Sequence, residues 1–423
     1  MKLNSMQILS WSKTLFFVCC TPALFAQNSN IIGQNLSSNV NVVTTAVPFL
    51  LIGPDAREGG IGDAGVSSAP DVNATHWNPA KLAFIEQQMG FSVSYAPWLR
   101  QLVPDINLAY LSWFYKLKGH QSIGGSLRYF SLGNIEFTDN NGVTTGSFNP
   151  NEYAIDFSYS RQLSEQWSVA MSARYIYSNL TGASAVQGVY THPAQSLGVD
   201  ISSYYKTKDL QLGGKKSVIA AGICISNLGP KISYSNTAQS DFPPINLRIG
   251  PSITVNLDSY NKLSFLFDLN KLLVPTPPAY EVVNGTVVLG PDGQPVIAAG
   301  MNPNVGVAQG IVQSFYDAPG GFTEQFREID ISGGSEYWYD NQFAFRLGFF
   351  YEAPTKGGRE YITMGAGFRL NILNIDAAYL IPISQQNPLQ NTLRITLGFL
   401  FDKAKPGKDK DAAPENTDGG SPQ

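Results

Sequence analysis

The stretch NTLRITLGFLF, residues 391–401, decides the fold. Leu393, Ile395, Leu397, Phe399 and Phe401 share one face of an extended chain, and Thr392, Arg394, Thr396 and Gly398 share the other. A period of two describes a strand whose faces meet different media. An apolar outer face, a polar inner face and a length near ten residues describe a strand that crosses a bilayer within a closed barrel.

The same unit recurs on the N-terminal side of this stretch. Alternating segments fall at 86–97, 105–116, 120–133, 151–162, 166–178, 195–207, 216–227, 245–256, 262–271, 326–338, 342–352, 359–370, 373–382 and 391–401, fourteen in all. An even number suits a single-chain bacterial barrel. The gaps between them alternate in length. LKGH, QLSE, LDSYN, YDN and NI are short, with KDLQLGGKK the longest of that set. LGNIEFTDNNGVTTGSFNPN, SNLTGASAVQGVYTHPA and NLGPKISYSNTAQSDFPP are long, and the ninth gap runs from about 272 to 325. Short periplasmic turns and long outer loops give this alternation, which places both termini in the periplasm. The expected fold is therefore all-β: a 14-stranded antiparallel transmembrane β-barrel with an N-terminal segment plugging its lumen.

Composition narrows the class further. Charged residues are 14% of the chain, against about a quarter in soluble proteins. Mean hydropathy is −0.08, and after residue 26 no apolar run approaches the roughly 18 residues of a spanning helix. A net charge of −4 carries no nucleic-acid signature. His76, His120 and His192 are far apart, so neither a metal nor a cofactor is expected. The expected segments are a signal peptide over 1–26, a plug over 27–85, the barrel over 86–401 and a disordered polar tail over 402–423. Loss of the signal peptide removes Cys19 and Cys20 and leaves Cys224 alone, in an apolar strand where a small buried or lipid-facing residue is the plain reading.

The inner faces carry Asp156, Arg174, Asp200, Arg248, Asp268, Arg346, Asp376 and Arg394. A charge facing lipid at mid-depth costs roughly 2–4 kcal/mol, so these point inward and are expected to pair there. Tyr115, Trp167, Tyr205 and Trp338 fall at the short-turn strand ends and are expected to form an aromatic girdle. Fourteen strands leave a lumen that must be filled if the membrane is not to leak. The stretch 27–85, rich in Gly, Pro, Asn and Ala, is the filler at hand.

Catalytic patterns are lacking. No GxSxG elbow occurs. GGIGDAG (59–65) has neither the preceding strand nor the following helix of a phosphate-binding loop. Gly59, Gly60 and Gly62, with Asp63, fit close packing of a plug against the wall. Trp77 brings an amphipathic ring just before the Asn78-Pro79 turn signal. A second dense stretch surrounds the first outer loop, where Trp98, Leu99, Arg100, Leu102, Val103 and Pro104 place apolar side chains in a loop that should be wet. Such a patch marks a partner-binding surface, or else the loop folds back into the lumen onto the plug. In the ninth gap, Asn284-Gly285 and Asp292-Gly293 within VVNGTVVLGPDG (282–293) read as a β-hairpin.

At two stretches the chain resembles the PorV family (also called LptO): DAREGGIGDAGVSSAPDVNATHWNPAKLAF and YAPWLRQLVPDINLAYLSWFYKL. The first is also similar to the wider FadL-like superfamily of fourteen-stranded fatty-acid transporters. The resemblance implies a non-enzymatic outer-membrane shuttle of the type IX secretion system. Such a carrier docks at the translocon barrel (SprA, also called Sov), accepts cargo by its folded C-terminal signal domain, and delivers it to the attachment complex containing the sortase PorU. The superfamily likeness implies an alternative, a transporter of hydrophobic small molecules. That role needs a continuous apolar lumenal pocket, whereas the inward positions are mostly Ser, Thr, Gly, Asp and Arg. A general porin is a third reading and predicts ion conductance.

Overall fold

A computed structural model describes residues 40–402, apart from 100–104, 139–140, 142, 181, 183–184, 187–188, 236–239, 285, 384–388 and 391. The signal-peptide region, residues 27–39 of the expected plug and all but the first residue of the tail lie outside the described residues. So do Arg100, Leu102, Val103 and Pro104.

The barrel strands in chain order are β1 Met89–Pro97, β2 Ile106–Leu117, β3 Gln121–Leu132, β4 Asn151–Gln162, β5 Trp167–Asn179, β6 Ala194–Lys206 and β7 Lys215–Leu228. They continue as β8 Asn246–Asn256, β9 Asn261–Leu272, β10 Ile329–Tyr339, β11 Phe343–Tyr351, β12 Glu360–Leu370, β13 Leu373–Pro382 and β14 Thr392–Phe401. Each pairs antiparallel with its chain neighbours, and β14 returns to β1, with Met89 opposite Phe401 and Tyr95 opposite Ile395. The ring is closed, so it has no open edge whose backbone groups would lack partners in lipid.

The alternation of the last strand holds in space. Leu393, Ile395 and Leu397 are exposed, while Thr392, Arg394 and Thr396 are buried. The same inversion runs round the ring. Phe91, Ile155, Phe265 and Phe345 stand outside, whereas Ser92, Asp156, Ser264 and Arg346 are enclosed. At the seam, Phe91 stacks on Phe399 with centroids 4.9 Å apart.

One end of the barrel carries tight turns. Asp340 and Asn341 take φ of 50° and 52°, and Asn371 takes 50°. Asn and Asp tolerate this left-handed conformation better than other side chains with a Cβ. The opposite end carries the long connections. The ninth connection of the chain, between β9 and β10, is one of these and holds a ribbon in which Val282–Val283 pairs with Thr286–Val287, and two short helices, α3 Val307–Gln313 and α4 Phe322–Arg327.

The girdle needs one correction. Tyr115, Trp167 and Tyr205 are exposed at short-turn strand ends, but Trp338 is only 5% exposed. On β10, Glu336 faces inward, and strand parity sends Trp338 the same way. There Arg369 lies 4.1 Å and Arg346 5.6 Å from its ring centre. Tyr339 takes the exposed position beside it.

Candidate functional site

Residues 53–84 are almost continuously buried, and their hydrogen bonds reach inward side chains on every side of the ring. Ala56 N donates to Thr396 of β14 (2.9 Å) and Gly62 N to Thr363 of β12 (2.9 Å). Gly65 N and Val66 N both donate to Asp268 of β9 (2.7 and 2.8 Å). Asn73 accepts from Ser92 of β1 (2.6 Å) and Ser112 of β2 (3.0 Å). Ala80 N donates to Ser202 of β6 (3.1 Å), and its carbonyl accepts from Ser168 of β5 (2.7 Å). A segment bonded to strands on opposite sides of a ring lies within it.

Ion pairs reinforce these bonds. Arg57 spans both oxygens of Glu336 on β10 (3.0 and 2.9 Å). Glu336 also accepts from Arg346 (2.8 Å), which reaches Asp376 of β13 (2.7 Å). Such pairing offsets the cost of burying these charges. Other inward charges pair along the wall: Arg174 joins Asp156 (2.5 Å) to Asp200 (2.9 Å).

The glycines set the distance of approach. Gly62 has φ of 73°, and a Cβ there would sit 2.5 Å from the backbone of Phe349. On the wall, a Cβ at Gly348 would sit 2.0 Å from Gly62 N. Asp63, at φ 61°, accepts from Tyr361 (2.6 Å) and from both terminal nitrogens of Arg394. Trp77, the last residue of α2 (Ala74–Trp77), donates from Nε1 to Asp55 (2.6 Å), whose other oxygen caps α1, Ala56–Gly59, by accepting from Glu58 N (3.0 Å). Asn78 holds Val66 O (2.9 Å) and Ser203 O (3.0 Å), and its own oxygen accepts from Ala80 N (3.0 Å). Pro79 opens a 3-10 turn, Pro79–Phe84, where its fixed φ suits the first position.

Burial drives the titration of this segment. Desolvation, followed by Asp55, pushes Glu58 up to about 8. Desolvation and then Arg128 hold His76 well below its usual range, so a neutral ring faces the Arg128 guanidinium.

Next to this segment, at the long-loop end, lies a cavity of about 410 Å3. Asp63, Trp77, Arg248 and Arg394 line it, together with Trp98 and Arg359. Its rim charges are paired: Arg359 with Glu352 (2.9 Å) and Lys356 with Glu328 (3.0 Å). Arg248 differs. Its Nε donates to Asn270 (2.6 Å) and its guanidinium lies 4.7 Å over the Trp77 ring, but among the described residues it pairs with no carboxylate. The sequence pattern placed Arg248 inside the barrel but gave no sign that it would lack a countercharge.

Trp98 is 8% exposed and packs with Phe49, Leu50 and Leu108. Leu99 packs on the same cluster. Trp98 and Leu99, the described part of this loop, therefore pack inward.

The fold and its filled interior define an outer-membrane β-barrel. Residues 35–279 match the family described as type IX secretion system protein PorV, and the chain belongs to that family. It is thereby an outer-membrane component of type IX secretion. No curated protein matches the chain. Among solved structures, the toluene transporter TbuX of Ralstonia pickettii is 12% identical over 83% of this chain and 98% of that one, with a TM-score of 0.44. The toluene transporter TodX of Pseudomonas putida is 13% identical over 82% and 97%, with a TM-score of 0.45. A FadL homologue of Pseudomonas aeruginosa is 12% identical over 86% and 99%, with a TM-score of 0.42. Similarity at this level carries nothing over about ligands.

Proposed function

We propose that this chain is a non-enzymatic cargo holder, anchored by its barrel and gripping at its long-loop mouth. It receives cargo by the C-terminal signal domain at the SprA/Sov translocon barrel and hands it to the PorU attachment complex. In this reading the tight turns and both termini face the periplasm, and residues 53–84 seal the lumen. The observation that carries it is the buried segment packed beneath the mouth cavity. Asp63 and Trp77 line that cavity and belong to the buried segment bonded to strands round the ring, which supports a cup and not a passage. Arg248, held over the buried Trp77 ring, offers the cup a cation for a carboxylate on the cargo. A lining with this many charges disfavours the hydrophobic-molecule transporter.

A pull-down of the tagged chain from outer membranes tests the proposal. The translocon barrel and proteins with C-terminal signal domains should co-purify. Arg248→Ala should reduce cargo more than translocon. Recovery of neither partner would sink the reading, and loss of growth on a hydrophobic nutrient with intact secretion would favour the transporter.

A further inference from the structure

On the outside of the wall, at the long-loop end, the ninth connection folds back over the barrel. Phe315 and two rings of α4, Phe322 and Phe326, overhang Leu247 and Ile249 of β8 and Leu269 of β9. Between them lies an almost wholly apolar pocket of about 270 Å3. An apolar cavity of about 150 Å3 is already enough to take up a benzene-sized molecule. The rings are far from hidden: Phe322 is 79% exposed, Phe326 57% and Phe315 49%. Phe322 and Phe326 meet edge to face at 4.5 Å.

Polar bonds beside the pocket hold this roof in place. Gln325 donates to Ser314 O (2.5 Å) and Glu328 (2.9 Å), and accepts from Ala318 N (3.1 Å). Lys271 of β9 and Lys356 both grip Glu328 (2.7 and 3.0 Å). The roof is thus tied to the rim independently of what fills the space beneath, and an apolar void held open forfeits dispersion contacts until something enters it. The floor decides what enters. Ile249 and Leu269 belong to the same outward face as Phe265 and Phe267, so the pocket is continuous with the wall that meets hydrocarbon.

We propose that this pocket holds one acyl chain of a membrane lipid from the leaflet at the long-loop end, clamped between the β8–β9 wall and the three phenylalanines. The clamp is separate from the cargo cup, which opens on the inner side of the same strands.

The test uses the full chain in nanodiscs of phosphatidylethanolamine containing a phospholipid with a diazirine in its acyl chain. After illumination, peptides covering Phe315–Phe326 should carry label at several-fold the yield of the plain belt at Phe345–Phe349. Leu269→Trp fills the pocket and should bring roof labelling down to belt level, with belt labelling unchanged. If that variant fails to show heat-modifiable migration, Phe326→Ala opens the clamp and should lower roof labelling likewise. Roof labelling no higher than the belt, or unmoved by a folded pocket variant, overturns the proposal. Labelling in nanodiscs that vanishes in whole outer membranes gives the patch to a protein partner and overturns it equally.

Discussion

Single side chains join the inner segment to the wall, and they fail in distinct ways. Glu336 serves both Arg57 and Arg346. Glu336→Ala leaves two buried guanidiniums short of a countercharge, a loss of about 3–5 kcal/mol. The temperature of the heat-modifiable gel shift should fall clearly. Gly62→Ala forces a Cβ into the Phe349 backbone at a positive φ. It should leave the barrel intact but expose residues 53–84 to protease. Glu58 gives a pH test. Its folded value, about 8, lies above its ordinary 4.5, so the folded state binds the extra proton between those limits. Stability contributed by the neutral acid is full below about pH 4.5 and declines as pH rises towards 8. Asp55, Arg57 and Lys81 face the group, and Glu58→Gln should flatten the decline, measured as protease resistance against pH. Trp98→Ala empties a packed site and should cost about 3–5 kcal/mol, so a partner lost through it reports on folding as well as binding.

Elements differ in how openly the sequence declares them. The strands were legible because each residue of NTLRITLGFLF meets either hydrocarbon or a polar interior, and alternation records that choice residue by residue. Trp338 departs from the girdle because parity, set by Glu336 two residues before, decides its side and aromatic type does not. The inner segment was legible only as a lack of alternation with many glycines. Its partners, such as Glu336 for Arg57 and Arg394 for Asp63, lie hundreds of positions away, and no local pattern encodes them. The roof over β8 and β9 was invisible for the same reason. The ribbon of the ninth connection was signalled by its turn residues, and its base is narrow: a Cβ at Gly300 would lie 3.2 Å from Pro278 Cα. Residues 279–299 can therefore be excised with little strain at the junction. The shortened chain should keep its heat-modifiable migration while recovering less cargo in pull-downs.

The described barrel turns an apolar face outward and encloses most of its charged side chains, with an apolar cluster around Phe49 and Trp98 inside. Closure of the ring satisfies the strand backbones, and the inner segment matches the charges that the wall turns inward. The proposed cup at the mouth follows from both, since a filled lumen leaves its long-loop end as the place to bind. Conductance of the purified full chain in a planar lipid bilayer tests this most directly. The account predicts near-silence from the full chain and steady currents from a variant lacking residues 40–85. Steady ion flow through the intact chain, comparable to that of the deletion variant, would contradict it.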